Sequence, residues 1–308
     1  MTRMNQTPQR LQGAVRLQDW GVIRASGSEA RKFLQGQLTQ DMNAVAEGQA
    51  RLAGFCSAKG RLQASFVVWQ ASADEFLLAC SADLLAATLK RLSMFVLRAK
   101  CKLADASAEV ALWGVAGAAE LEQLPLWSCG GAPGAALIRL PDGALHGQPV
   151  TRGLWAGTSA PPMPELDADT WRWLEAASGV PRIVAATVEQ FVPQMVNLEL
   201  VGGVDFQKGC YPGQEVVARS QYRGTLKRRA FVVLSEAQLQ AGQEVFNADD
   251  ASQPAGMVVL AGSHGGRHNA LVELKIAATQ APGALHAGAV DGPRLMLVDL
   301  PYSIPPAE

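Results

Sequence analysis

One short stretch of the chain, DFQKGCYPGQEVVAR from Asp205 to Arg219, concentrates residue types that could do chemistry. Cys210 follows Lys208 by two residues and shortly precedes Pro212, and because proline is favoured at the first helical position, a helix is predicted to start at Pro212. A thiol near a helix N-terminus and a cation has a pKa below its free value of about 8.5, which makes the thiolate available. We therefore predict that Cys210 is an activated thiolate and that Lys208 helps to hold its charge. The alternative is a buried cysteine that only fills space, with the neighbouring glycines forming a tight turn.

Two tryptophans are candidates for stacking a flat heterocyclic ligand, because an aromatic face buries a large area against such a ring. They are Trp20, in a predicted strand, and Trp171, in the predicted helix DTWRWLEAASGVP. Trp173 lies two residues further along this helix and points to a different face, so at most one of the two helical tryptophans belongs to a site. Core packing is the alternative for each of them.

The remaining polar patterns predict no site. His264 and His268 have the spacing of a metal pair only on a helix, which the glycines around them disfavour, so no metal site is predicted. A polar set in and just after the first predicted helix fits a solvated face better than a ligand site: Gln35, Gln37, Gln40 and Asp41.

The composition is that of a globular protein of 308 residues, with 27 basic and 28 acidic side chains. This balance argues against a strongly electrostatic nucleic-acid-binding protein, whose affinity would come from neutralising phosphates, although it leaves room for a local basic patch. No apolar run reaches the length of about 18 residues that a membrane span needs, and the polar N-terminus lacks the apolar core of a secretory signal. Five widely spaced cysteines indicate free thiols in a reducing compartment. We therefore expect a cytoplasmic protein with neither a membrane nor a DNA partner.

Interposed strand and helix patterns predict an α+β fold, with sandwich domains followed by a small β-barrel. SGSEARKFLQGQLTQD is a predicted helix with capping-box spacing at Ser26 and Glu29, and FCSAKGRLQASF is a predicted hairpin with its turn at Ser57 to Gly60. Beyond Arg229 the segments read as strands joined by Gly, Asp and Asn turns. The predicted division is a disordered lead at 1–14, an α+β domain at 15–105, a second α+β domain carrying the cysteine motif at 106–226, and the barrel at 227–308. The first two domains could interleave.

The motif KGCYPGQEVVAR, followed by Arg223 and Gly224, resembles the signature of the YgfZ family. These are folate-binding and tRNA-modifying proteins related to the glycine cleavage T-protein, an aminomethyltransferase. The stretches SGSEARKFLQGQLTQDM, FCSAKGRLQASF and FVPQMVNLELVGGVDFQKGC are also similar to family segments, so the resemblance covers most of residues 15–230. The cysteine motif is the specific part of this resemblance.

The resemblance implies three domains in a ring around a central channel, with tetrahydrofolate or a derivative bound there. It also implies a role in the assembly or repair of iron–sulfur clusters and, through iron–sulfur enzymes, in the modification of some tRNAs. Cys210 matches the key functional cysteine, and Trp20 and Trp171 match tryptophans associated with folate. The other matched motif residues are candidate contacts beside Cys210 and Lys208: Tyr211, Gln214, Glu215, Arg219 and Arg223. Glu215 and Arg219, four residues apart, would in addition brace their helix.

One departure from the T-protein argues against its reaction. The T-protein carries a pair of carboxylates on the second strand of the hairpin, one of which acts on the folate, whereas this chain has Ala64 and Ser65 there. Neither residue can stay charged or transfer a proton as a carboxylate does. We therefore expect a folate-binding accessory factor for iron–sulfur proteins rather than an aminomethyltransferase.

Two other functions stay open from the sequence. A folate-dependent one-carbon transferase or demethylase acting on another substrate would need a replacement carboxylate, for which Asp41 is the candidate. Direct binding of tRNA would need a basic patch, and its affinity would fall steeply with salt. The candidate patch consists of Arg223, Lys227, Arg228 and Arg229.

Overall fold

The computed structural model describes residues 11–131, 134–222, 226–250, 252–281 and 283–305. The strands are β1 (Gly13–Arg16), β2 (Trp20–Ser26), β3 (Ala50–Cys56), β4 (Leu62–Ser72), β5 (Glu75–Ser81), β6 (Lys102–Asp105), β7 (Ala111–Ala116), β8 (Cys129–Gly130), β9 (Ala135–Leu145), β10 (Gln148–Gly157), β11 (Arg228–Ser235), β12 (Glu244–Asn247), β13 (Gly256–His264), β14 (Arg267–Lys275), β15 (Leu285–Ala287) and β16 (Arg294–Val298). The helices are α1 (Ala30–Gln35), α2 (Ala82–Ser93), α3 (Ala119–Gln123), α4 (Ala168–Ala177), α5 (Gln214–Tyr222) and α6 (Ile276–Gln280). Short 3-10 helices span Met42–Ala44, Ala185–Thr187 and Pro193–Val196.

The first sheet is antiparallel, with strand order β3-β4-β5-β2-β6. Strand β4 is buried along most of its length because both faces of the sheet are covered: Phe66 packs in the core beneath α1 and α2, whereas Val67 packs in the core on the other face. The predicted β3–β4 hairpin is confirmed. In its turn the Gly60 N–H donates to the Ser57 carbonyl at 2.8 Å, and Gly60 has a φ of +71°.

Helix α1 is shorter than the sequence predicted. The apolar pattern continues to Leu38, but the helix ends at Gln35 because the chain then pairs with β3. The Thr39 N–H donates to the carbonyl of Gly54 in β3 at 2.9 Å. The predicted Ser26 cap is wrong as well: Glu29 is the N-cap residue, without a side-chain cap hydrogen bond. Pairing with the sheet therefore outweighs the helical periodicity of this segment.

The second sheet is antiparallel, with strand order β1-β7-β10-β9-β8. Strand β1 pairs with β7 through Gly13 opposite Ala116 and Ala14 opposite Val115. The predicted disordered lead at 1–14 is therefore wrong for Gly13 and Ala14, which strand pairing fixes, whereas its residues 1–10 lie outside the described residues. The chain enters the second sheet before it builds the first.

The C-terminal barrel is confirmed as a closed six-stranded barrel in the order β11-β14-β13-β12-β15-β16. Helix α4 lies between this barrel and the second sheet. A Cβ at Gly262 of β13 would lie 2.3 Å from the Trp173 backbone nitrogen, and a Cβ at Gly114 of β7 would lie 2.4 Å from the Trp171 ring. Glycines thus permit close packing on both sides of α4, and the α+β fold class is confirmed.

Candidate functional site

Trp20 and Trp171 line the same cavity, together with Ser65, Glu175 and Arg182. Strand β2 provides Trp20, strand β4 provides Ser65, and helix α4 provides both Trp171 and Glu175 at the i,i+4 spacing that places them on one face. Trp173 points elsewhere, because its indole N–H donates to the Ala144 carbonyl at 2.9 Å. Of the two helical tryptophans, Trp171 is therefore the one that borders this cavity.

The indole N–H groups of Trp20 and Trp171 are buried and have no hydrogen-bond partner among the described residues. A buried donor without a partner costs about 1–3 kcal/mol, so folded proteins leave few of them. Two residues that line this cavity therefore carry buried donors that no described residue satisfies.

Arg182 organises the polar side of the cavity. Its guanidinium donates to both carboxylate oxygens of Glu175, at 2.7 and 2.9 Å, to the Ser81 hydroxyl at 2.9 Å and to Asp19 at 3.0 Å. Burial by itself lowers the pKa of Arg182. The attraction and hydrogen bonds of Glu175 and Asp19 outweigh this effect and raise the pKa above its ordinary value, so the group stays charged. The Arg182 Cζ also lies 4.8 Å from the centroid of the Trp20 ring.

Glu175, Arg182 and Arg152 are site residues that the sequence reasoning missed. Arg152 is 2% exposed and its Cζ lies 5.3 Å from the Trp171 ring centroid. Burial lowers the pKa of Arg152 to about 10. The sequence contained one signal of these polar site residues: Glu175 is a carboxylate on the apolar face of its helix, one turn from Trp171.

The positions that lack the carboxylate pair are structural in this chain. Ala64 is buried, and the Ser65 hydroxyl accepts the Ile183 backbone N–H at 3.0 Å. Asp41, the candidate replacement carboxylate, does not line the cavity of Trp20 and Trp171. Its side chain accepts the Asn43 N–H at 3.0 Å and so caps the short helix Met42–Ala44.

The polar set predicted as a solvated face mostly holds the backbone in place. Gln35 accepts the Met42 N–H at 2.6 Å, and the Gln40 side chain donates to the Gly202 carbonyl at 2.6 Å. The Gln37 side-chain oxygen is buried without a partner among the described residues. The solvated-face interpretation is therefore wrong for Gln35 and Gln40, because this segment packs against neighbouring backbone.

Cys210 is exposed and is absent from the lining of the cavity of Trp20 and Trp171. We call residues 205–213 the cysteine loop. At its start, the Asp205 carboxylate accepts the N–H groups of Gln207 at 2.7 Å and Lys208 at 3.1 Å, and the Asp205 N–H donates to the Thr39 carbonyl at 2.9 Å. The side chain of Tyr211 is buried. The loop is thus fixed to the segment that follows α1, while the Cys210 thiol stays accessible.

Lys208 is buried and points into the protein. Its ammonium donates to the carbonyls of Gln35 and Leu38, both at 2.5 Å, and lies 5.0 Å from the Tyr211 ring centroid. These carbonyls belong to the C-terminal end of α1 and the residues after it, where a cation is favourable. Burial lowers the pKa of Lys208 to about 8, against the opposing effects of Asp41, Asp205 and a thiolate at Cys210. Lys208 is therefore an anchor of the loop that also interacts electrostatically with Cys210.

Gly213 closes the loop against the β3–β4 hairpin. It has a φ of +79°, and a Cβ there would lie 2.4 Å from the Ser57 carbonyl oxygen and 2.7 Å from Gly60. The prediction that α5 starts at Pro212 is wrong: the helix begins at Gln214, because the left-handed Gly213 interrupts a regular helix.

The other motif residues do not join the tryptophans. Tyr211, Gln214, Glu215 and Arg219 are absent from the lining of the cavity, and Arg223 lies outside the described residues. The predicted brace between Glu215 and Arg219 is wrong, since no ion pair joins these two exposed side chains. Exposed pairs at this spacing gain only about 0.3–0.5 kcal/mol, which side-chain entropy offsets.

The predicted basic patch is largely neutralised. Arg228 pairs with Glu273 at 2.8 Å, and the buried Arg229 pairs with Glu199. Lys227 is exposed, and Arg223 lies outside the described residues. Two of the four predicted cations are thus engaged by carboxylates, which reduces the charge that this patch can offer to a phosphate backbone.

We predict that Gly213→Ala destabilises the protein by about 2–4 kcal/mol, because the new Cβ combines a left-handed backbone with a close contact to the hairpin. Urea denaturation measures this change. Gly209→Ala is the matched control on the other side of Cys210, since a Cβ there meets no atom within 4 Å. Equal stability of the two variants would contradict the packing described for Gly213.

Lys208 predicts a pH dependence of stability. Its pKa is about 8 in the folded state, against an ordinary value of 10.5 for lysine, so the folded state binds fewer protons between these pH values. The free energy of unfolding should therefore rise from pH 8 to pH 10.5 in the wild type relative to Lys208→Met, which lacks the titrating group. Urea denaturation of both proteins at several pH values measures the difference. If the free energies of unfolding of the two proteins changed in parallel with pH, the lowered pKa of the buried Lys208 would be contradicted.

Comparisons with known proteins agree with this architecture. The family model described as GCVT N-terminal domain matches residues 12–124. The crystal structure of the glycine cleavage system aminomethyltransferase T from Bartonella henselae has a TM-score of 0.64 at 13% identity, over 94% of this chain and 85% of that one, and so shares the fold. No helix in the described part of the chain is long and apolar enough to cross a membrane.

Several curated relatives carry the name tRNA-modifying protein YgfZ, among them the two that follow. The protein from Edwardsiella ictaluri is 33% identical over 247 residues, which cover 73% of this chain and 71% of the relative. The protein from Klebsiella pneumoniae is 29% identical over 314 residues, which cover 94% and 92%. At this identity and coverage, the chain belongs to the YgfZ family of tRNA-modifying proteins.

Proposed function

We propose that this protein binds tetrahydrofolate or a derivative at the cavity of Trp20 and Trp171. We further propose that it uses Cys210 to support the assembly or repair of iron–sulfur clusters, and thereby tRNA modification. The observation that carries the proposal is the pair of unpartnered indole N–H groups at one cavity, next to the Glu175–Arg182 ion pair.

The chemistry of the cavity fits a pterin. A pterin ring carries nitrogen and carbonyl acceptors that can receive the two indole N–H groups. It also carries N–H donors, for which each Glu175 oxygen keeps a second lone pair beside the one that Arg182 occupies. The two tryptophans would act differently. Trp171 is 2% exposed and packed against Gly114, so it offers its N–H, whereas the half-buried Trp20 also offers ring surface.

The space around the tryptophans decides how a folate would enter. The cavity itself measures only about 30 Å³, so a pterin must move side chains or bind at its mouth. A cleft of about 470 Å³ also borders Trp171 and has Arg16, Trp113 and Arg172 in its wall. This volume suits a small-molecule site and gives room to the rest of a folate.

The residues present do not favour aminomethyl transfer. Ala64 and Ser65 replace the carboxylates, and both oxygens of Glu175 already accept hydrogen bonds from Arg182. A bound tetrahydrofolate supplies a reduced pterin and a carrier position for a one-carbon unit. The chain's own residues would hold and orient the pterin, and Cys210, exposed on a loop that Lys208 and Gly213 fix, would offer a thiol to a cluster, a sulfur species or a cysteine of a partner protein.

The names of the relatives support the link to tRNA, since both are called tRNA-modifying proteins. With Arg228 and Arg229 engaged by carboxylates, we favour an indirect link through iron–sulfur enzymes over direct binding of tRNA at that patch.

The folate proposal predicts that Trp20→Phe and Trp171→Phe each weaken binding of tetrahydrofolate about 5- to 10-fold, because each change removes one N–H donor and keeps an aromatic ring. Anaerobic calorimetric titration measures the affinity. Trp155→Phe is the matched control, since its indole N–H already donates to the Ser159 carbonyl. No binding by the wild type, or equal affinity of all four proteins, would contradict the proposal.

The cysteine proposal predicts that Cys210→Ala fails to restore iron–sulfur enzyme activity in a strain that lacks this protein, although the variant still binds tetrahydrofolate. Cys101→Ala, which changes a half-buried thiol elsewhere, should restore it. The measurement is the activity of an iron–sulfur enzyme per unit of its protein in extracts. Full rescue by Cys210→Ala would show that the thiol has no such role.

A further inference from the structure

A second surface of the first domain has the composition of a protein-binding site. It consists of residues 90–102, from the last turn of α2 to the start of β6, which we call the α2–β6 segment. It contains five exposed cations and no acidic residue, although the whole chain has 27 basic and 28 acidic residues. The cations are Lys90, Arg91, Arg98, Lys100 and Lys102.

None of these five cations takes part in an ion pair within the described ranges of the chain. Local structure accounts for some of them. Lys90 and Arg91 lie in the last turn of α2, where a cation interacts favourably with the helix dipole. Lys102 lies on the edge strand β6, where a lysine disfavours pairing with the edge of another sheet. Arg98 and Lys100 have no such local role.

Large apolar side chains are exposed among these cations. Met94 is 62% exposed, Phe95 40% and Leu97 86%. The segment is nevertheless ordered: the Phe95 N–H donates to the carbonyl of the buried Leu92 at 3.0 Å, and the Lys100 N–H donates to the Glu29 carboxylate at 2.7 Å. Scattered exposed apolar residues are ordinary, but three within four positions on a fixed segment form a patch.

We propose that the α2–β6 segment docks an acidic surface of a partner protein, with Met94, Phe95 and Leu97 as the apolar contacts and Arg98 and Lys100 as the charged ones. Methionine, aromatic residues and arginine are the types enriched in protein interfaces. A partner with carboxylates around an apolar depression complements this patch in both charge and polarity.

Other classes of macromolecule fit less well. The two most exposed apolar side chains, Leu97 and Met94, are aliphatic and cannot stack on RNA bases as aromatic residues do. For a lipid surface, an aromatic side chain should be free to enter the bilayer interface, whereas the Arg91 guanidinium covers the Phe95 ring at 5.6 Å from its centroid.

The position of the patch relates it to the cysteine loop. Helix α1 joins the two regions, since the Glu29 N–H at its start donates to the Lys100 carbonyl and the Gln35 carbonyl at its end accepts Lys208. A helix of six residues is about 9 Å long, so an interface of ordinary size can cover both. That the docked protein is the one served by Cys210 rests on the proposed function, whereas the docking itself does not.

Photo-crosslinking in cells of the native host tests the docking. p-Benzoyl-L-phenylalanine replaces Leu97 in the full-length protein, and Leu126, a 56% exposed residue outside the segment, is the control position. The expected result is an adduct to an acidic protein from position 97 and none from position 126. Absence of a protein adduct at position 97 would overturn the proposal.

The test is completed by measuring the affinity of this protein for the purified partner that the crosslink identifies. Leu97→Ala and Arg98→Glu should each weaken its binding at least about fivefold, and salt should weaken it further, whereas Leu126→Ala and Arg294→Glu should not change it. All four positions are exposed, so thermal unfolding should stay unchanged. Unaltered affinity in the first two variants would overturn the proposal. The proposal would also be overturned if the protein bound phosphatidylglycerol vesicles or unmodified tRNA and if Leu97→Ala and Arg98→Glu abolished that binding. The patch would then serve a lipid or an RNA.

Discussion

The buried ion pair between Arg182 and Glu175 is the interaction on which the candidate site depends. Both side chains are 8% exposed, and Arg182 also reaches Ser81 at the end of the first sheet and Asp19 just before β2. Removing one partner would leave a buried charge unpaired, at a cost of about 3–5 kcal/mol. The pair therefore fixes α4 against the first sheet, and with it the placement of Trp171 relative to Trp20.

The β3–β4 hairpin connects the cavity with the cysteine loop. At the turn, Gly60 and Ser57 contact Gly213, and five residues beyond Gly60 the Ser65 hydroxyl holds the backbone of Ile183 at the cavity. An extended chain rises about 3.3 Å per residue, so the stretch from Gly60 to Ser65 spans at most roughly 17 Å between the two regions. A change at the cavity that moves this strand would also move the surface on which the cysteine loop rests.

The sequence predicted what local rules determine. The turn at Gly60 and the strands of the barrel both follow from spacing and turn chemistry, whereas Glu175 was not predicted as a site residue. The partners of Arg182 do not follow from local rules, because Ser81 lies 101 residues away and only the tertiary fold brings it near. The same reason explains why α1 ends early and why Lys208 points inward: pairing with β3 and carbonyl groups of a distant segment outweigh local preference.

The central claim is that acceptors of a bound folate satisfy the indole N–H groups of Trp20 and Trp171. Nitrogen-15 labelling of tryptophan gives one indole N–H resonance for each side chain, and anaerobic titration with tetrahydrofolate reports on all of them at once. The account predicts large shifts for Trp20 and Trp171 and small ones for Trp155 and Trp173, whose N–H groups already donate to carbonyls. Unchanged resonances of Trp20 and Trp171 at saturating tetrahydrofolate would contradict it.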